Sequence, residues 1–206
     1  MSDQLDAARR LYAILAPRYD QETTFISGIR KRAIAALRLA PGETVLDAGC
    51  GTGWCLPMLA AGVGQHGHVV GFEPTSEMLA IARARVQSLN LSNVTLQQAC
   101  GRSAVLKPAP DVILFSYTHD LIRSPEALAT IFRQAKPGAR IVAVSTQFFP
   151  KWFFVGNWYL RHTHRVTITN FAGFERPWTL LAERCASYTV RTTIPGSRYL
   201  FEGRLP

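Results

Sequence analysis

The sequence predicts an α/β protein: a doubly wound, seven-stranded, mostly parallel sheet with helices on both faces, a C-terminal antiparallel hairpin and an N-terminal helical lid. Three observations predict it. Between residues 44 and 146, short apolar runs alternate with segments of helical periodicity, as in strands joined by crossover helices. The strands after the first are continuous apolar runs, the pattern of strands buried on both faces. Finally, Val45-Leu46-Asp47-Ala48 breaks into Gly49-Cys50-Gly51-Thr52-Gly53, a turn where backbone can approach a ligand closely, and Val69-Val70-Gly71-Phe72 ends in Glu73. Two strands ending in this way define a nucleotide-type site at the carboxyl edge of the sheet.

Taken in order, Leu5, Ala8, Leu11, Tyr12 and Leu15 recur at helical spacing, and Pro17 is expected to end that amphipathic segment. A second helix is expected over about residues 25–39, with Ile26, Ile29, Ala33, Ile34 and Leu37 on its apolar face and Pro41-Gly42 closing it. The first strand begins at about Thr44. Residues 57–61 fit a helix with its proline in the first turn, and Gly62, Gly64 and Gly67 break the chain before the second strand. Residues 77–86 form a helix capped by Thr75 or Ser76. Strands follow at 94–97 and 112–115, then a helix at 125–135, the turn Pro137-Gly138 and a strand at 141–144. Beyond these, Arg176-Pro177-Trp178 opens a helix through Arg184, and strands at 188–194 and 198–203 are joined by Pro195-Gly196.

The chain has 206 residues, 48% of them hydrophobic, which suits one domain with peripheral elaborations rather than two. That domain, 1–206, divides into lid helices at 1–40, a core at 44–146, and a substrate-side aromatic segment with the closing hairpin at 147–206. Lys and Arg number 23 against 14 Asp and Glu, a net charge of +9. This suits either an anionic partner or a plain basic surface, since the cations are scattered and the densest cluster is only Arg30-Lys31-Arg32. With no basic-then-apolar leader and no apolar run long enough to span a bilayer, a cytoplasmic protein is expected, with peripheral membrane contact as an option. Cys50, Cys55, Cys100 and Cys185 form no C-x-x-C pair, so neither a zinc site nor a disulfide framework is indicated. His66 with His68 and His162 with His164 read as surface histidines, and no metal is expected.

The glycine turn admits three interpretations. A phosphate-cradling loop needs Lys followed by Ser or Thr, where this chain has Trp54-Cys55. The dinucleotide fingerprint needs a small residue at its sixth position, where Trp54 stands. What is left is Asp47-x-Gly49-x-Gly51-x-Gly53, an acid ending the next strand, and Pro137-Gly138-Ala139 before the fifth. This ordered set resembles the class I S-adenosylmethionine-dependent methyltransferases over residues 44–146.

The resemblance implies S-adenosylmethionine as cofactor, with Gly49 and Gly51 against its methionine and ribose parts and Asp47 supporting the turn and the cationic end. It implies Glu73 as acceptor of the two ribose hydroxyls, with Pro74 and Met78 flanking the adenine; Met78 fits core packing equally well. Many members carry an acid after the third strand. This chain has Gln98-Ala99-Cys100-Gly101-Arg102 instead, so the backbone of Cys100 and Gly101 is expected to hold the adenine. At the end of the fourth strand, Ser116, Tyr117 and His119 face the transferred methyl group, and His119 is the candidate general base; shaping the pocket or capping the next helix is its alternative role. Residues 11–20, ending Tyr19-Asp20, resemble the family's lid, with Tyr12 and Tyr19 closing over the cationic end of the cofactor or simply packing.

Residues 148–159 concentrate Phe148, Phe149, Trp152, Phe153, Phe154, Trp158 and Tyr159, beside Lys151, Arg161, His162, His164 and Arg165. Aromatic and basic side chains so mixed suit an anionic membrane surface or a roof over the site. The segments around Trp178 and Arg198 look like those of bacterial lipid-headgroup N-methyltransferases. The resulting expectation is methyl transfer to an amine of a lipid headgroup or amphipathic small molecule. The alternatives are O- or C-methylation of an aromatic, quinone-like metabolite, RNA methylation, and cofactor binding without turnover. RNA is disfavoured because the chain lacks the Asn/Asp-Pro-Pro-Tyr/Phe signature and any separate basic module.

Overall fold

A computed structural model describes residues 10–150, 152–164, 171, 173–193 and 196–206. Seven strands form one sheet: β1 Thr44–Ala48, β2 His68–Glu73, β3 Val94–Gln98, β4 Val112–Ser116, β5 Arg140–Thr146, β6 Ser187–Thr192 and β7 Arg198–Arg204. Their order is β3-β2-β1-β4-β5-β7-β6. The first five pair in parallel, and β7 runs antiparallel to both β5 and β6. The order reverses between β1 and β4, which opens a crevice at their carboxyl ends.

The longer helices are α1 Ser27–Ala36, α2 Leu56–Val63, α3 Ser76–Ser88, α4 Pro125–Gln134 and α5 Phe154–His164. Successive strand residues point to opposite faces, and the core divides accordingly. Leu46, Val70, Ile113 and Ile141 pack with Leu128 and Ile131 of α4 on one face. Val45, Val69, Leu114 and Val142 pack with Ile29 and Ala33 of α1 and Leu56 and Leu59 of α2 on the other. Each of the Leu, Ile and Val side chains, fully buried, contributes about 1.5–3 kcal/mol, so the frame of the crevice is set from both sides.

The structure corrects several expectations. The α-helical run over residues 10–15 stops before Pro17 as expected, but the chain does not leave helical geometry: a helical turn at Tyr19–Glu22 follows a 3-10 turn at Ala16–Arg18. The proline sits at the start of that turn, where its missing N–H costs nothing. Leu5 and Ala8 lie outside the described residues. β3 is not buried on both faces; Thr95 and Gln98 are exposed because β3 is an edge of the sheet.

Thr75 takes the N-cap position of α3, yet no side-chain cap bond forms; its backbone N–H donates to Glu73 Oε1 at 2.9 Å instead. The helix expected at 176–184 is a single turn, Thr179–Ala182, because Ala186 N–H already bonds Arg204 at the foot of the hairpin. Ile194 and Pro195 of the expected hairpin lie outside the described residues.

Candidate active site

The site is assembled where β1, β2 and β4 end. Asp47 of β1 pairs with Gly71 of β2, and Cys50 N–H continues the pairing to Phe72 O at 3.0 Å. The glycine turn is thereby laid over the end of β2, and Gly51 N–H donates to Glu73 Oε2 at 3.1 Å. Gly51 has φ +55°, and a Cβ there would meet nothing within 4 Å, so its backbone faces open space. Gly53 has a different task. A Cβ there would stand 2.7 Å from Leu56 Cδ1 and 3.0 Å from Ala82 Cβ, so Gly53 is what lets the turn pack against α3.

A cavity of about 280 Å³ opens above this turn. Of the residues expected from the sequence, Tyr12, Tyr19, Gly49, Gly51, Glu73, Pro74 and Met78 all line it, as do Cys100, Gly101, Ser116, Tyr117 and His119. Met78 is also 2% exposed, so it serves packing and lining together. Asp47 is set apart: it is buried beneath the turn, beside a separate cavity of about 30 Å³ that Arg30, Gly49, Gly51 and Ser116 share. His119 opens a helical turn, His119–Ile122, but Thr118 holds the N-cap position. Its ring lies against Phe174, 5.2 Å between centroids, with Nε2 2.8 Å from the buried Ser145 Oγ.

Three charged residues were not singled out in the sequence. Arg30 is 5% exposed, and its guanidinium lies over the rings of Trp54 at 5.5 Å, Tyr117 at 5.6 Å and Tyr19 at 5.9 Å. The signal was its spacing: positions 26, 30, 33 and 37 share a helix face, so the basic cluster hides one buried member. Asp20 accepts from Thr52 Oγ1 at 2.6 Å and from Arg85 Nη2 at 2.5 Å, while Arg85 Nη1 donates to Thr52 O at 2.7 Å. The lid is thus tied to the glycine turn and to α3 at one point. Tyr12 and Tyr19 meet edge to face, 6.1 Å apart.

Burial dominates the electrostatics. It pushes the Asp47 carboxyl up to about 7, with Glu73 adding to the rise and Arg30 opposing it. Burial also raises Tyr12, Tyr19 and Tyr117, the last to about 12, so these hydroxyls stay protonated donors. Asp47 Oδ2 and the Tyr117 hydroxyl are buried with no hydrogen-bond partner among the described residues.

This set suits S-adenosylmethionine, which carries an ammonium, a sulfonium and one carboxylate. Asp47, with an oxygen to spare, suits the ammonium; Arg30 suits the carboxylate; Glu73 suits a ribose diol. When bound, the cofactor supplies an electrophilic methyl group.

The fold and this cavity define the class I methyltransferase type, and the comparisons agree. Residues 39–165 match the methyltransferase domain family, and the chain belongs to it. It is an S-adenosylmethionine-dependent methyltransferase. The demethylmenaquinone methyltransferase of Listeria welshimeri is 27% identical over 190 residues, 86% of this chain and 79% of that protein. That of Lactiplantibacillus plantarum is 31% identical over 144 residues, 66% of this chain and 61% of that protein. An S-adenosylmethionine-dependent methyltransferase structure from Aquifex aeolicus superposes with a TM-score of 0.62 at 22% identity, over 86% of this chain and 89% of that one.

Two outcomes are expected. Glu73→Gln should weaken calorimetric affinity for S-adenosylhomocysteine about tenfold or more, the range for losing charge-assisted hydrogen bonds; unchanged affinity would remove Glu73 from the ribose site. Asp47 gives a pH signature. Its folded pKa is raised, so the unliganded fold is favoured most below the ordinary aspartate value and loses that advantage as pH rises through about 7. A cationic ligand favours the ionised form, so S-adenosylmethionine affinity should rise between about pH 6 and pH 8. Asp47→Asn should flatten that dependence.

Proposed function

We propose that this enzyme methylates an apolar aromatic, quinone-like acceptor at a ring carbon or oxygen. One observation carries the proposal. A second cavity, of about 260 Å³, shares the wall Tyr12, Tyr19, Tyr117 and His119 with the first, and its lining includes Phe25, Ile26, Phe149, Tyr159 and Leu160 but no carboxylate among the described residues. Among the described residues, its one charged lining residue is Arg198. An amine acceptor, which gains positive charge as it is methylated, is poorly served by an acid-free cavity holding a cation. A flat apolar ring is well served. The names of the two demethylmenaquinone methyltransferases described above support the same choice.

On the shared wall, the tyrosine hydroxyls are held protonated, and His119 carries the side chain type that ordinarily titrates between pH 5 and 8. It is the candidate to take the proton that leaves the acceptor. Alignment across the wall and exclusion of water by the Tyr12–Tyr19 lid supply the rest of the acceleration.

The acceptor's route is a second part of the proposal. Phe25 and Tyr159 line the second cavity and are also exposed, at 66% and 63%; Trp152, Phe154, Val155 and Trp158 continue the exposed surface. Residues 127–174 contain no Asp or Glu. Exposed rings in an acid-free region suit contact with an anionic bilayer, from which an apolar acceptor would enter. No helix among the described residues is long and apolar enough to cross a membrane.

Labelled S-adenosylmethionine supplied with a short-chain demethylmenaquinol should yield labelled quinol. Label recovered from a cell extract only in amine phospholipids or RNA would overturn the proposal. His119→Asn should lower kcat about a hundredfold, within the usual range for losing a general base, with cofactor affinity unchanged. In a separate flotation assay, the protein should bind vesicles rich in phosphatidylglycerol, and Trp152→Ala with Trp158→Ala should abolish most of that binding; equal binding by the variant would sink the membrane route.

A further inference from the structure

We propose that Tyr117 and Arg198 form an oxygen-binding site inside the second cavity, for an acidic ring hydroxyl of the acceptor or its oxyanion. The proposal rests on the aromatic-acceptor assignment above and deepens it. Arg198 stands opposite Thr146 in the β5–β7 ladder, and both line this cavity. By contrast, Arg191 of β6 pairs with Glu202, as does Arg38, and Arg140 of β5 pairs with Glu43. Arg198 is half-buried, with the Phe25 ring 5.4 Å from its guanidinium and no carboxylate in ion-pair range among the described residues. A cation held against apolar walls loses hydration that an anionic partner would restore.

Tyr117 supplies the second donor. It is a bulky residue at φ +60°, a strained conformation of the kind found at functional sites. The strain is held in place by Tyr117 N–H donating to Val144 O at 2.9 Å and by Arg30 packed on the ring. Its hydroxyl is the buried, unpartnered group noted above. Arg198 acts on this hydroxyl through its charge, though burial outweighs that and keeps the proton on.

A protonated hydroxyl and a guanidinium therefore line one apolar cavity. Neither guanidinium nor ammonium ligands fit such a pair. An oxygen bearing full or partial negative charge does, because both groups donate to it and the low-polarity surroundings strengthen the bonds. Phenols, enols and hydroquinones carry that oxygen on a ring of suitable character.

Calorimetry on the protein saturated with S-adenosylhomocysteine separates the possibilities, using 1-naphthol and 1-methylnaphthalene, probes of similar shape that differ in one hydroxyl. The wild type should bind 1-naphthol about tenfold more tightly. Arg198→Gln and Tyr117→Phe should each erase most of that preference and leave 1-methylnaphthalene unchanged, while Arg198→Lys keeps part of it. If both probes bind and no variant alters the preference, the oxygen site is overturned and the aromatic-acceptor assignment stands. A uniform loss of both probes in Arg198→Gln and Arg198→Lys alike would mark a packing role and also overturn it. If neither probe binds the wild type, the aromatic-acceptor assignment falls and takes the oxygen site with it.

Discussion

The buried carboxylate of Glu73, bonded to Gly51 N–H and Thr75 N–H, is the interaction on which the rest of the site depends. It ties three consecutive pieces of backbone: the glycine turn after β1, the end of β2 and the start of α3. A carboxylate that is 8% exposed costs several kcal/mol unless its lone pairs are satisfied, and backbone amides satisfy them without side-chain entropy. The same geometry leaves the outer face of Gly51 toward the cavity. Parallel pairing of β1 and β2 is what makes this possible, because only parallel neighbours bring both carboxyl ends to one edge.

From that fixed edge, charge organises the surroundings. Glu73 lines the main cavity, while Asp47 and the buried cation Arg30 share the small cavity beneath the glycine turn. With both acids ionised this set is net negative by one, the complement of a ligand with two positive groups and one negative. The raised pKa of Asp47 belongs to the same economy: without a cation beside it, burial holds the proton on. Asp20 adds the mechanical element, since Thr52 and Arg85 meet there and hold the N-terminal segment to the glycine turn.

Much of this was legible in the chain because it obeys local rules. Val45 to Gly53 encodes a strand and a turn whichever side chains surround it, and Glu73 is recognised by its place at a strand end. Periodicity alone gave the alternating elements. What stayed hidden depends on tertiary placement. That β3 lies at an edge is a fact of strand order, which its own apolar run does not carry. Arg30 read as part of a basic cluster, since burial of a guanidinium is visible only once Tyr19, Trp54 and Tyr117 come from three distant segments to surround it. Asp20 appeared only as the close of a Tyr-Asp pair, its partners lying 32 and 65 positions away. The second cavity was least legible, because it is made by the lid, the ends of β4 and β5, α5 and the start of β7.

That division also explains why the two halves of the chemistry have different characters. The donor side is dominated by backbone amides and buried charge, features set by strand topology. The second cavity is lined largely by aromatic and apolar side chains, many of them from segments outside the sheet. Tyr117 stands at the joint between them: its backbone is bonded to β5, its ring lies on Arg30 of the donor side, and it lines both cavities. Its strained conformation turns the chain out of the sheet at the end of β4, so the residue that costs local stability is also one that brings the two cavities to a common wall.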